Sequence, residues 1–78
     1  MKKVIDLHGV SHEKALLMVE EYLLMNSFGN DLELELITGK SQKLQKKIIE
    51  NILTKYDFNY YIPNHNTGMM YITDTKIN

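Results

Sequence analysis

Apolar and polar residues alternate along two stretches of the chain, which is the pattern of a β-strand with one face against a core. Leucine and glutamate alternate within residues 31–37, and apolar residues take every second position of residues 58–62. Residues 3–8 are rich in valine and isoleucine, and residues 69–73 form an apolar run after a turn-forming segment. We therefore predict four strands. The glutamates of the second strand predict that one sheet face is open to solvent.

Between the first two predicted strands, apolar residues recur with helical spacing. They stand at i, i+4, i+7 and i+8 counted from Ala15, on one face of a helix. Ser11 is a good N-cap and Gly29-Asn30 is a stop signal. This predicts a helix from Ser11 to about Ser27.

A second helical pattern follows the second predicted strand. Leu44, Ile48 and Ile52 recur every four residues, behind Ser41 as a candidate N-cap and ahead of Asp57 as a stop. The order of elements is therefore β-α-β-α-β-β. We predict one α/β domain over residues 1–78, a two-layer sandwich in which a four-stranded mixed sheet carries both helices on one face.

This order predicts where a ligand would bind. If the first three strands are parallel, their carboxyl ends and the N-termini of both helices meet at one sheet edge, where ligands of open α/β sheets usually bind. The segments placed there are His8-Gly9, residues 38–41 and residues 64–68. We expect them to lie together.

Composition narrows the class of protein. The 78 residues are 44% hydrophobic, and the chain has no cysteine, which excludes a disulfide framework and a thiolate metal site. The apolar run after Met1-Lys2-Lys3 is too short for a signal peptide, and no run has the length of a membrane span. We expect a cytoplasmic protein without membrane contact.

Charge is segregated although the net charge is only −1. Four lysines and no acid lie between Lys40 and Lys47, whereas residues 13–35 carry an excess of acids. Such a basic stretch can bind an anion, and it can equally be a solvated helix face.

The tetrapeptide Thr38-Gly39-Lys40-Ser41 suits a phosphate. Glycine after a strand allows a sharp turn, the helix that follows offers unpaired N–H groups, and Lys40 and Lys43 add positive charge. The Walker A pattern of ATPases needs a glycine where Leu34 stands, so an ATPase is excluded. An ordinary strand-to-helix turn is the alternative.

Asp6 and His8 are candidates for acid–base chemistry. Two residues apart on a strand, their side chains share a face, and a carboxylate can orient an imidazole. The alternative is that both cap backbone groups at the strand end. His8, His12 and His65 together fall short of a metal site, so we expect none.

Two sets of apolar side chains could serve as contact surfaces. Tyr61 and Tyr71 could stack on bases if they face outward, or line the sheet. Leu17, Met18, Leu24 and Met25 lie off the main stripe of the first helix and could form a dimer face, or be surplus surface. A monomer is favoured, with a dimer left open.

Three segments of the chain resemble motifs of the small MutS-related (Smr) domain family. The segment from Val4 to Gly9 (VIDLHG) resembles the family's Leu-Asp-Leu-His-Gly signature. The segment Leu36-Ile37-Thr38-Gly39-Lys40-Ser41 resembles its Thr/His-Gly-x-Gly turn, with Ser41 where the second glycine usually stands. Asn66-Thr67-Gly68 resembles its last glycine turn, so that the resemblance covers nearly the whole chain.

The resemblance implies a fold and a function. The fold would be similar to the C-terminal domain of bacterial translation initiation factor three, with strand order 1-2-4-3 and an antiparallel last strand. The function would be DNA nicking or RNA cleavage, including cleavage of ribosome-associated messenger RNA. Asp6 and His8 would be the catalytic pair. The remaining predicted contacts to phosphate or nucleic acid are Thr38, Gly39, Lys40, Ser41, Lys43, Lys47, His65, Asn66 and Gly68.

Our leading hypothesis is a nucleic-acid-binding Smr domain with endonuclease activity. His8 would act as general acid–base and Asp6 would orient it, while Lys40 would hold the phosphate. On RNA a 2′-hydroxyl can be the nucleophile and no metal is needed, whereas water attack on DNA favours Mg²⁺ or Mn²⁺ near Asp6. The alternatives are a non-catalytic module that binds nucleic acid or a ribosome, and a protein-interaction domain.

Overall fold

The computed structural model describes residues 2–26 and 32–75. The second predicted helix is one unbroken helical run with a π-helical turn in its middle. The predicted end of the first helix, at Ser27 and Gly29-Asn30, and the predicted first strand residue Asp31 lie outside the described residues. The elements in chain order are β1 (Lys2–Asp6), α1 (His12–Asn26), β2 (Glu33–Ile37), α2 (Gln42–Ile48), the π-helical turn (Ile49–Leu53), α3 (Thr54–Tyr56), β3 (Phe58–Tyr61) and β4 (Met69–Thr75).

The four strands form one mixed sheet in the order β1-β2-β4-β3. β1 and β2 are parallel, and β4 is antiparallel to both of its neighbours, so β1, β2 and β3 all point the same way. The predicted α/β class and mixed four-stranded sheet are confirmed. The observed strand order is also the one that the family resemblance implies.

Helix α1 and the second helical run pack on the same face of this sheet. Leu34 and Leu36 point to that face, and each is at most 1% exposed. Val19 of α1 and Ile48 of α2 belong to the same buried cluster, so the two-layer arrangement is as predicted. The cluster is composed of Leu7, Ala15, Val19, Leu23, Leu32, Leu34, Leu36, Leu44, Ile48, Ile52, Leu53, Phe58, Met70 and Ile72.

The opposite face, here called the open face, carries the even-numbered residues of β1 and the odd-numbered residues of β2, β3 and β4. The centre of this face is less exposed to solvent than the alternation predicts, since Glu35 is only 9% exposed. Lys2 Nζ lies 2.9 Å from the Glu35 carboxylate and 5.7 Å from the centre of the Tyr71 ring, which stacks on Tyr61. The hydrogen bond to Glu35, and then its charge, raise the pKa of Lys2 above its ordinary value of 10.5.

Short polar side chains set the helix ends. Ser11 Oγ accepts the Lys14 N–H at 3.3 Å, and Ser41 Oγ accepts the Leu44 N–H at 3.2 Å, as expected for N-caps. Asp57 ends the second helical run with a left-handed backbone, φ 61°. The π-helical turn was not predicted, since four-residue spacing suits a regular helix. No helix in the described parts of the chain combines the length and apolar character that crossing a membrane requires.

Candidate functional site

Three loops follow the carboxyl ends of the parallel strands and meet at one edge, here called the rim. They are residues 7–11 after β1, 38–41 after β2 and 62–68 after β3. They share this edge because β1, β2 and β3 run in the same direction, as predicted. The contacts between these loops decide which groups remain open to a ligand.

The second and third loops are joined by backbone hydrogen bonds. The carbonyl of Gly68 accepts the N–H of Thr38 at 2.8 Å and the N–H of Gly39 at 3.1 Å. A Cβ on Gly68 would stand 3.2 Å from the Gly39 carbonyl oxygen, a tight contact that favours glycine at this position. The N–H groups of Thr38 and Gly39, which the motif offered to a phosphate, are therefore used within the protein.

A buried glutamine holds the same junction from below. Gln45 is 6% exposed, and its side-chain amide donates to Thr38 Oγ1 at 2.9 Å and to the Thr67 carbonyl at 2.8 Å. The Thr38 hydroxyl is in turn directed at the Gly68 carbonyl, 3.1 Å away. Thr38, which is 4% exposed, thus supports the turn from inside and is not on its surface. The sequence does not predict this role of Gln45, because the helical periodicity around it carries no information about contact with a distant loop.

His8 lies directly against the second loop. A Cβ on Gly39 would stand 3.6 Å from His8 Cδ2, and Gly39 has a left-handed backbone with φ 66°. Within the described residues, the His8 imidazole makes no hydrogen bond and no ion pair, and the residue is exposed. Its ring is therefore free to contact a ligand that approaches Gly39 from solvent.

Asp6 takes a different role from the one its spacing suggested. β1 ends at Asp6, so His8 lies in the turn that follows and not on the strand. The Asp6 carboxylate accepts the backbone N–H of His8 at 2.9 Å. This is the capping arrangement given above as the alternative. Asp6 fixes the backbone that carries the imidazole, and it is a positioning residue for His8.

His12, at the start of α1, joins the two helices. Lys47 Nζ lies 3.3 Å from His12 Nδ1, and the Ser41 hydroxyl lies 3.5 Å from His12 Nε2. An ammonium group can only donate, so Nδ1 accepts and Nε2 carries the hydrogen directed at Ser41. Lys47, predicted to bind nucleic acid, thus donates to His12 within the protein. Sequence spacing does not predict this contact, because the two residues are far apart in the chain.

Two of the predicted cations stay on the surface at the rim. Lys40 and Lys43 are exposed, one just before and one within the first turn of α2. The N–H groups of Gln42 and Lys43 have no acceptor inside a helix because of their position in the first turn. Together with the positive end of the helix dipole, these groups create a place for an anion beside Gly39.

A cavity of about 530 Å³ opens beside Lys40. His65 lines the cavity and is exposed to solvent. The Asn66 side-chain oxygen accepts the Gly68 N–H at 3.1 Å, a hydrogen bond within the third loop. Glu35 and Ile37 extend the cavity onto the open face. The lining residues are Glu35, Ile37, Gly39, Lys40, His65, Asn66, Thr67, Gly68 and Met69.

The side chains at the rim do not form a donor set for Mg²⁺ or Mn²⁺. Such ions prefer several carboxylate or carbonyl oxygens, and Asp6 already accepts a backbone N–H. Over residues 2–26 and 32–75, no three histidine, cysteine or carboxylate side chains converge on one point. No chemical step is therefore assigned to a metal ion.

Comparison with known proteins adds no identity to this geometry. No family model, no curated protein and no solved structure matches the chain.

Proposed function

We propose that the rim binds RNA and cleaves its phosphodiester backbone, with His8 as the general acid–base group. The proposal includes membership of the small MutS-related family and a fold like that of the C-terminal domain of bacterial translation initiation factor three. A cytoplasmic location goes with it. One observation carries the proposal: the exposed His8 imidazole, which has no hydrogen-bond partner among the described residues, lies against Gly39, and the exposed Lys40 and Lys43 follow Gly39 in the chain.

Binding would use the side chains that the fold leaves open. Lys40 and Lys43 supply charge, and the first N–H groups of α2 supply donors for phosphate oxygens. His65 borders the adjoining cavity and can contact a neighbouring nucleotide. Thr38 and Gly39 contribute by holding the turn in shape, because their own donors are bonded to Gly68.

Cleavage of RNA uses only groups that this rim holds. His8 takes the proton from the 2′-hydroxyl, whose oxygen attacks the adjacent phosphorus and forms a new P–O bond. The bond to the 5′-oxygen breaks, and that oxygen receives a proton from solvent. The products are a 2′,3′-cyclic phosphate and a 5′-hydroxyl. Lys40 and the α2 N-terminus stabilise the charge that develops on the phosphoryl oxygens.

A binding module without catalysis is the second candidate, and one observation favours it. Asp6 bonds to the backbone of His8, and no carboxylate in the described part of the chain pairs with the His8 ring. An imidazole that nothing orients is a weaker general base than one held in a fixed tautomer. The same lysines would then bind nucleic acid without cutting it.

A product assay on two substrates separates these functions. Purified protein is incubated with end-labelled RNA and with supercoiled plasmid, each with chelator, with Mg²⁺ or with Mn²⁺. We expect RNA cleavage in chelator, with cyclic phosphate ends, and no cleavage at a position where 2′-deoxyribose replaces ribose. Binding without cleavage of either substrate would leave only the binding module. Plasmid nicking confined to the metal-containing samples would replace RNA cleavage by metal-assisted DNA hydrolysis.

A further inference from the structure

β1 is an edge strand whose outer backbone groups face away from the sheet. Among the described strands it lies at one end of the sheet and pairs with β2 alone. The Leu7 N–H donates to the Ile37 carbonyl, so the odd-numbered residues of this segment bond to β2. Polar groups alternate in direction along a strand, and the N–H and C=O groups of Lys2, Val4 and Asp6 therefore point outward.

The side chains of these three residues are complementary to a second copy of the same strand. In an antiparallel pair centred on Val4, Lys2 of each copy lies directly opposite Asp6 of the other. Val4, which is 47% exposed, then meets its own counterpart on the axis. The outward N–H and C=O groups are in phase in this register, so every facing pair exchanges both hydrogen bonds.

We infer that the chain forms a two-fold dimer by antiparallel pairing of β1 with β1 of a second copy. The resulting eight-stranded sheet would run in the order β3-β4-β2-β1-β1-β2-β4-β3. Both open faces would lie on one side and both helix layers on the other, with a rim at each end of the paired strands. Asp6 positions His8 and also takes part in the pairing, but dimerisation is measured by sedimentation and not by cleavage, so this inference and the proposed function can fail separately.

Charge selects this register over the others. Lysines on an edge strand usually discourage pairing with another chain, and a parallel pair in register would set Lys2 against Lys2. The antiparallel register instead turns both lysines toward carboxylates. The Lys2 side chain is 54% exposed although it is paired with Glu35, so it can also contact Asp6 of the second copy. The His8 N–H bonds to Oδ1 of Asp6, so Oδ2 can accept from Lys2 of the second copy.

Apolar surface on the helix side of β1 extends the contact. A groove of about 550 Å³ runs between β1 and α1, and Met18, Tyr22 and Met25 line it at i, i+4 and i+7. Met25 is 68% exposed in the single chain. In the dimer the two grooves face each other across the axis, and these side chains can cover one another. Burial of apolar surface thus adds to the backbone pairing.

A charge-exchange experiment tests the register. Lys2→Glu places like charges opposite each other in its own homodimer, and so does Asp6→Lys. A mixture of the two variants restores opposite charges at both positions. We expect sedimentation equilibrium to show dimers of the native protein at chain concentrations up to about 1 mM, the weak end of specific association. Each variant alone should be monomeric, and the equimolar mixture should contain the heterodimer.

Val4→Pro provides a test that does not depend on charge. Proline removes the outward N–H of Val4 and no bond to β2, so the fold should persist while dimerisation is lost. Lys55→Glu, a charge reversal away from β1, should dimerise like the native protein. A native chain that stays monomeric to about 1 mM overturns the inference. So does a dimer that survives both Val4→Pro and the single charge variants, since it must use another surface.

Discussion

Lys47 Nζ lies 3.3 Å from Nδ1 of His12, which ties the second turn of α2 to the first turn of α1. The His12 ring also faces Ser41, the N-cap of α2. One side chain therefore links the loop that precedes α1 with the loop that precedes α2. These contacts fix the start of α1 against the start of α2.

A double-mutant cycle on His12 and Lys47 measures this link. His12→Ala and Lys47→Met each remove the contact, and we expect a coupling of at least about 0.5 kcal/mol in the free energy of unfolding. Chemical denaturation of the native protein, both variants and the double variant gives the value. The same cycle with Lys46, which is exposed, is the control and should show no coupling. Additive effects of His12→Ala and Lys47→Met would contradict the link.

Removing the side-chain amide of Gln45 should destabilise the junction of the second and third loops. Gln45→Leu keeps the volume but leaves the Thr67 carbonyl and the Thr38 hydroxyl without their donor. Loss of a buried hydrogen-bond partner costs about 1–3 kcal/mol, which urea unfolding can resolve. Gln42→Leu, at an exposed position of the same helix, should change stability little. Equal effects of the two substitutions would contradict a stabilising role for the Gln45 hydrogen bonds.

The ion pair of Lys2 and Glu35 makes stability depend on alkaline pH. The folded state raises the pKa of Lys2, so its contribution is complete below the ordinary value of 10.5 and is lost as pH rises through the higher folded value. The thermal midpoint of the native protein should therefore fall more than that of Lys2→Met between about pH 9.5 and pH 11.5, a range of about one unit on either side of the usual lysine value. Parallel curves for the two proteins would contradict this assignment.

The sequence predicts the sheet and the rim because both depend on local periodicity. Alternation of Leu34 and Glu35 settles which side faces the core, and Ser41 and Asp57 signal the ends of the second helical run. It does not predict that Glu35 is covered, since Lys2 reaches it from a neighbouring strand.

The details of the site depend on where strands stop and on contacts between distant loops. Spacing placed Asp6 and His8 on one face on the assumption that β1 continues. The strand ends at Asp6 instead, because its carboxylate takes the His8 N–H and Gly9 turns the chain with φ 80°. The hydrogen bonds of Gln45 and the contacts of His12 join residues that are remote in sequence, so no short-range pattern encodes them.

Binding of nucleic acid should be localised at the start of α2. Lys40→Ala and Lys43→Ala should each weaken binding to single-stranded RNA and reduce the slope of log K against log salt concentration by about 0.7, the loss of one phosphate contact. Lys55→Ala, at the far end of the helical run, should leave both unchanged. Fluorescence anisotropy titrations over a series of salt concentrations give the slopes. Equal losses for all three variants would indicate diffuse charge attraction without a defined site.

The central claim is tested most directly by single-turnover cleavage of end-labelled RNA by His8→Ala. We expect the rate to fall by about 10²–10⁴-fold, the usual contribution of a general acid–base group. RNA affinity and the thermal midpoint should stay near the native values, because the exposed imidazole makes no hydrogen bond or ion pair with residues 2–26 and 32–75. Asp6→Asn should reduce the rate less, since an amide oxygen can still accept the His8 N–H. Undiminished cleavage by His8→Ala, from protein free of contaminating nuclease, would contradict the account.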